Sequence, residues 1–186
     1  MGMMYIPIPI AELPNEHGSI VWTNATGDLE YYYKNMVDDG TLKYAFYDGS
    51  AANFKDFASV VFNPNTVFFL IYNKKQISIP VGHVFLNNFE GFSAMIHFNI
   101  LREYHKDAIA IGKDGMSYMN KLERAKDVPL VKCFLGLTPC SNRAAIAYVL
   151  KLGFTKLGIV EGACRVAYKN KFENGLLTKA VNNAIF

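Results

Sequence analysis

The chain has 186 residues, 51% of them hydrophobic and 14% aromatic, and carries a formal net charge of +3. That length favours a single domain over residues 1–186 with a core that needs no staples, and the composition excludes a disordered chain. The charge is too small and scattered for a nucleic-acid binder; with no apolar run of membrane-span length and no basic segment before a signal core, a soluble cytoplasmic protein is expected.

Met1 to Pro14 is apolar, and Pro7, Pro9 and Pro14 exclude a helix and favour an extended edge segment. Leu29, Tyr32, Tyr33 and Met36 recur at helical spacing and predict a first helix from Asp28 to Val37, ended by Asp38-Asp39-Gly40. Lys43 to Tyr47 reads as a short strand, Asp48-Gly49-Ser50 as a turn, and Ala51 to Phe62 as a second helix stopped by Asn63-Pro64. The period then changes. Thr66 to Tyr72 and Ile77 to Leu86 are β-branched and aromatic runs joined by Asn73-Lys74-Lys75, and Phe89-Glu90-Gly91-Phe92 turns into a third run, Ser93 to Leu101. His83 and His97 alternate with apolar neighbours there; each either faces a cleft or is a satisfied, half-buried histidine.

Arg102 to Asp107 leads into a helical pattern from Ala108 to about Arg124. Ala108, Ala110 and Gly112 allow close backbone approach, and first-turn N–H groups with the helix dipole suit an anion such as a diphosphate. Asp107 opposes that charge, while Lys106 and Lys113 offset it. Leu130 to Leu137 is the next apolar run, followed by a Thr-Pro-Cys-Ser turn. Asn142 then caps an amphipathic helix that Gly153 ends by taking a positive φ before Phe154. Gly158 to Tyr168 supplies closing strands. Cys133, Cys140 and Cys164 are odd in number and lack metal-ligand spacing, so they read as free thiols and no metal is expected.

The phrase built on Asn142, Ala145, Gly153 and Phe154 resembles the C-terminal half of the GNAT (Gcn5-related) N-acetyltransferases. The resemblance runs from about Thr66 to Tyr168 and implies an α/β (α+β) fold, a mixed, mostly antiparallel sheet flanked by helices. It implies acetyl-CoA, or another acyl-CoA, held by Leu101, His105, Lys106, Ala108, Ala110, Gly112 and Asn142, with acyl transfer to a small-molecule or protein amine. The family's phosphate motif, Gln/Arg-x-x-Gly-x-Gly/Ala, is met only in part by His105 to Ala110: Ala110 fits, whereas His105 and Ala108 depart from it.

The resemblance also suggests Glu103, just beyond the third run, as the group that takes the amine proton; a solvated helix-approach residue is the alternative. At the family's usual proton-donating tyrosine stands Val149. Tyr148 is one residue earlier, turned by about 100° on a helix, and Ser141 is a further candidate donor. Similar sequences occur among phage and prophage proteins, some labelled as head-assembly proteins. A non-catalytic binding or assembly protein with this fold is therefore the second reading. A dinucleotide binder is disfavoured, since Gly112-x-x-Gly115 lies inside a helix. Nothing here sets the acceptor amine or the oligomeric state, a homodimer included.

Overall fold

The computed structural model describes residues 3–7, 25–73 and 76–182. Strand β1 (Met3–Pro7) comes first, followed by helices α1 (Ala25–Asp38), α2 (Leu42–Ala45) and α3 (Phe54–Val61). Strands β2 (Val67–Asn73), β3 (Gln76–Glu90) and β4 (Ser93–Ile100) form an antiparallel meander. A 3-10 turn over Arg102–Asp107 leads directly into α4 (Ala108–Met119). A short ribbon of β5 (Glu123–Ala125) and β6 (Val128–Pro129) precedes β7 (Cys133–Pro139), α5 (Arg143–Lys151), β8 (Thr155–Val166) and β9 (Lys171–Val181). Seven strands make one mixed sheet in the order β1-β2-β3-β4-β7-β9-β8, and among the described residues only its β4–β7 pair is parallel. β1 is the edge strand that its proline punctuation predicts; Pro9 and Pro14 lie outside the described residues.

The period of two along the strands divides the core. Phe69 and Ile71 of β2, Val84 and Leu86 of β3, and Ala94, Ile96 and Ile100 of β4 face Ile111, Met116 and Met119 of α4. Phe68, Leu70, Tyr72 and Phe85 point the other way, onto Leu29, Tyr32 and Met36 of α1 and Phe57 and Val61 of α3. Helical spacing on one side thus matches strand alternation on the other, and truncating a buried phenylalanine such as Phe57 would cost about 3–5 kcal/mol.

Several elements differ from their sequence expectations. Lys43 to Tyr47 forms no strand: the Asp39 carboxylate accepts from the Thr41 N–H at 2.8 Å and the Thr41 hydroxyl at 2.7 Å, starting the single helical turn of α2. The second helix begins at Phe54, because Asn53 caps it by accepting from the Asp56 N–H at 3.0 Å. Helix α4 stops at Met119, and the chain to Arg124 turns into the β5–β6 ribbon instead. Both β8 and β9 close the sheet, so the fold extends past Tyr168. β9 pairs with β7 on one side and β8 on the other, a placement that no local pattern announces.

Helix α5 matches its expectation closely. Asn142 Oδ1 accepts from the Ala145 N–H at 3.1 Å. At the other end Gly153 has φ +95° and donates to the Leu150 carbonyl, while Phe154 donates to that of Val149, the two bonds of a Schellman ending. Phe154 is then buried in the core with Val149 packed against the same cluster.

Candidate active site

The site arises where two strands part. β4 and β7 pair only from Ser93↔Cys133 to Met95↔Leu135. Beyond that point β4 stays paired with β3 as far as Ile100↔Gly82, and β7 with β9 as far as Pro139↔Gly175, so the facing edges open. The Leu101 N–H donates to the Val81 carbonyl at 2.9 Å; antiparallel alternation therefore turns the backbone groups of Ile96, Phe98 and Ile100 toward the opening. His105 agrees with this, its Nε2 donating to the Ile100 carbonyl at 3.0 Å. Gly82 permits the close strand approach there, since a Cβ would strike the Asn99 carbonyl.

The opening continues into a cleft of about 800 Å³ between the end of β4 and the N-terminal face of α5. Phe98, Asn99 and Ile100 form one wall, Ala144, Ala147 and Tyr148 the opposite one, and Thr41, Tyr44 and Ala45 of the α2 region a third. A smaller hollow of about 90 Å³ runs under it between the parted strands, lined by His97, Phe98, Leu137 and Tyr148 among others. Besides His105, the ionisable acid or base side chains lining the cleft among the described residues are Arg143, Lys151 and Lys169, all cationic. With the positive end of the α5 dipole, Arg143 and Lys151 make an electropositive mouth, while Lys169 is paired with Glu173 at 3.0 Å.

Of the sequence candidates, His105, Ala108, Ser141, Asn142 and Tyr148 line the cleft. Leu101 is instead buried in the core on the α1–α3 side. Lys106 and Ala110 are exposed outside the lining, and Glu103 is exposed on the 3-10 turn beside Tyr104. That turn also alters the anion-site expectation. It runs straight into α4, and the Ala108 N–H donates back to the His105 carbonyl, so no loop of free N–H groups precedes the helix. Gly112 is small for another reason: a Cβ would meet the Tyr148 hydroxyl and the Leu152 methyls at 2.8 and 2.9 Å, so it lets α4 and α5 touch.

Tyr148 presents its ring to the cleft, edge-on to Phe98 at 6.2 Å, while its hydroxyl is buried against Gly112 and has no hydrogen-bond partner among the described residues. Burial pushes that phenol well above its ordinary range. Val149 packs against the core. Ser141 is pinned at the mouth: its Oγ accepts from Lys169 Nζ at 2.8 Å and bonds Glu173, whose carboxyl is held at about 2 by Ser141, Lys171 and Lys169. His83 is buried in the core and His97 stacks on Phe85 at 4.2 Å beside the small hollow, with burial lowering both, to about 3 and about 4.

Sequence reading missed Thr41, Tyr44, Asn99, Arg143, Lys151, Tyr168 and Lys169 as cleft residues. A weak signal existed for two: Arg143 and Lys151 are the basic residues of a helix otherwise small and apolar.

No family model matches the chain, and no curated protein matches it by sequence. Solved structures do. A spermidine N-acetyltransferase from Vibrio cholerae, in complex with CoA and spermine, superposes with a TM-score of 0.65 at 13% identity, over 84% of this chain and 90% of that one. A ribosomal-protein-S5-alanine acetyltransferase from Vibrio fischeri gives 0.62 at 14% identity, over 87% and 91%. A microcin C7 self immunity acetyltransferase, in complex with acetyl-CoA and AMP, gives 0.62 at 18% identity, over 83% and 86%. The chain has the GNAT acyltransferase fold, as the parted strands and the Asn142 helix imply.

Proposed function

We propose that the protein is an acyl-CoA-dependent N-acyltransferase acting on a primary amine. The observation that carries this reading is the parting of β4 and β7 after Met95 and Leu135, which opens two strand edges into a cleft of about 800 Å³ with an electropositive mouth. A long, polyanionic thioester suits those features: Arg143, Lys151, Lys169 and the α5 N-terminus for its phosphates, and a narrowing slot between strands for its acyl end.

An acyl-CoA would supply an activated thioester carbonyl. The Phe98 N–H, facing the opening, is placed to polarise a carbonyl oxygen there. With such a thioester bound, transfer would join the amine nitrogen to the acyl carbon as the carbon–sulfur bond broke, and the proton lost by the amine would end on the departing sulfur. The Tyr148 hydroxyl faces α4, so water delivers that proton and the cleft contributes mainly by holding the reactants together.

The same placement favours the second reading, a binding or assembly protein without turnover. Calorimetry with acetyl-CoA and a thiol-release assay with primary amines separate the two. Heat and thiol release are expected, with Arg143→Ala and Lys169→Ala each weakening acetyl-CoA by about five- to tenfold, roughly 1 kcal/mol. Heat without release from any amine selects the binding role. No heat and no thermal shift at millimolar acetyl-CoA overturns the acyl-transfer reading, because a ligand selective for the folded state must stabilise it.

A further inference from the structure

A buried polar chain on the α1–α3 side of the sheet ends at the cleft, and the direction of its hydrogen bonds follows from one end. The Asp39 carboxylate accepts from the Thr41 hydroxyl at 2.7 Å and from the Thr41 and Arg102 N–H groups, each at 2.8 Å. With its hydrogen turned to Asp39, Thr41 Oγ1 can only accept, so the Asn99 atom 3.4 Å away is the amide nitrogen. The other amide hydrogen goes to the Tyr32 oxygen at 3.0 Å. Tyr32 then has its own hydrogen for His83 Nδ1, 3.1 Å away, which leaves the imidazole proton on Nε2 among the rings of Phe46, Phe68 and Phe85.

Both N–H groups of Asn99 are thereby held, and its amide cannot flip. Asn99 is only 8% exposed, yet it lines the cleft; its Oδ1 has no hydrogen-bond partner among the described residues and is not among the fully buried unpaired atoms. It is a fixed, uncharged acceptor waiting for a donor. The residue also projects from the α1–α3 face of β4, opposite to Ile100 and Phe98, which face the α4–α5 side.

We propose that Asn99 Oδ1 receives an N–H of the acceptor amine and aims its lone pair at the thioester carbonyl, with Tyr32 and Thr41 as positioning residues that hold the amide. This rests on the acyl-transfer reading above. A thioester presents acceptor atoms at its reacting end, which another acceptor repels, whereas an amine presents donors. A carbonyl also binds the amine without the charge that would hold it as an ammonium ion.

Kinetics with spermidine, alanyl-alanine and benzylamine at saturating acetyl-CoA test it. Asn99→Ala is expected to lower kcat/KM for the amine by about tenfold or more while the acetyl-CoA Kd stays within about twofold. Tyr32→Phe, outside the cleft, should lower it by about three- to fivefold with the same unchanged Kd. Equal kcat/KM in Asn99→Ala and wild type, or weakened acetyl-CoA binding instead, overturns the assignment while leaving acyl transfer intact. Should Asn99→Ala fail to fold, the Asn99 side-chain amide resonances of ¹⁵N-labelled wild type decide. They are expected to shift on adding these amines with CoA present, and unmoved resonances overturn it. A wild type that binds no acetyl-CoA fails at the earlier step, overturning the function itself.

Discussion

Replacing Tyr148 by Phe removes one buried oxygen and little else. That hydroxyl has no hydrogen-bond partner among the described residues and lies close to Gly112 and the Leu152 side chain. Leaving such a group unpaired costs about 1–3 kcal/mol, and after a small loss of contacts around the vacated space the variant should be about 1 kcal/mol more stable than wild type. In a protein of 186 residues this corresponds to roughly 2–4 °C in Tm. Turnover should stay within about threefold, because the hydroxyl points at α4 and not at the opened strand edges, whereas losing a general acid costs about a hundredfold or more. Calorimetric melting and thiol-release kinetics on the same preparations give both numbers. A fall in Tm of 2 °C or more, by the same conversion, would show that the hydroxyl is paired. A hundredfold loss of kcat would make Tyr148 the proton donor after all.

Gly112→Ala should destabilise by about 1–2 kcal/mol in urea titration, since overpacking against Leu152 and Tyr148 outweighs the gain of about 1 kcal/mol from removing a helical glycine. Ala110→Glu should leave the acetyl-CoA Kd within about twofold, because Ala110 is exposed outside the cleft; a tenfold loss by calorimetry would return the phosphates to the start of α4. Stability should fall as the solution is acidified. His83 and His97 have folded values of about 3 and about 4, both lowered by burial, so below about pH 6.5 the unfolded chain binds protons that the native state refuses. Their contribution is complete above that pH, and acidifying to pH 5 removes about 2 kcal/mol for each. Urea unfolding at pH 7 and 5 measures this; His97→Gln should halve the slope, and a flat profile would mean that both histidines reach solvent.

The stretch from Asn142 to Phe154 was legible because its determinants are neighbours: the Asn142 cap acts three residues away, and Gly153 ends the helix through bonds to Leu150 and Val149. The same holds for the α1 stripe of Leu29, Tyr32 and Met36 and for the alternating strands, where burying one face is a local periodicity. Gly112 shows the limit. The missing Cβ was visible in the sequence, but only the crossing of α4 and α5 decided that it makes room for Tyr148 and Leu152. Likewise, α2 replaced an expected strand because Asp39 captures Thr41 while Phe46 sinks into the core, a contest that a five-residue window cannot register. The cleft depends on where β4 and β7 stop pairing, and that depends on β9 holding β7 from the far side. Asn99 looked like one polar residue in a strand; its amide is held by Tyr32 and Thr41, 67 and 58 residues away along the chain. Hydrogen-bond direction and strand divergence arise from contacts between distant segments, which residue order specifies only through the folded chain.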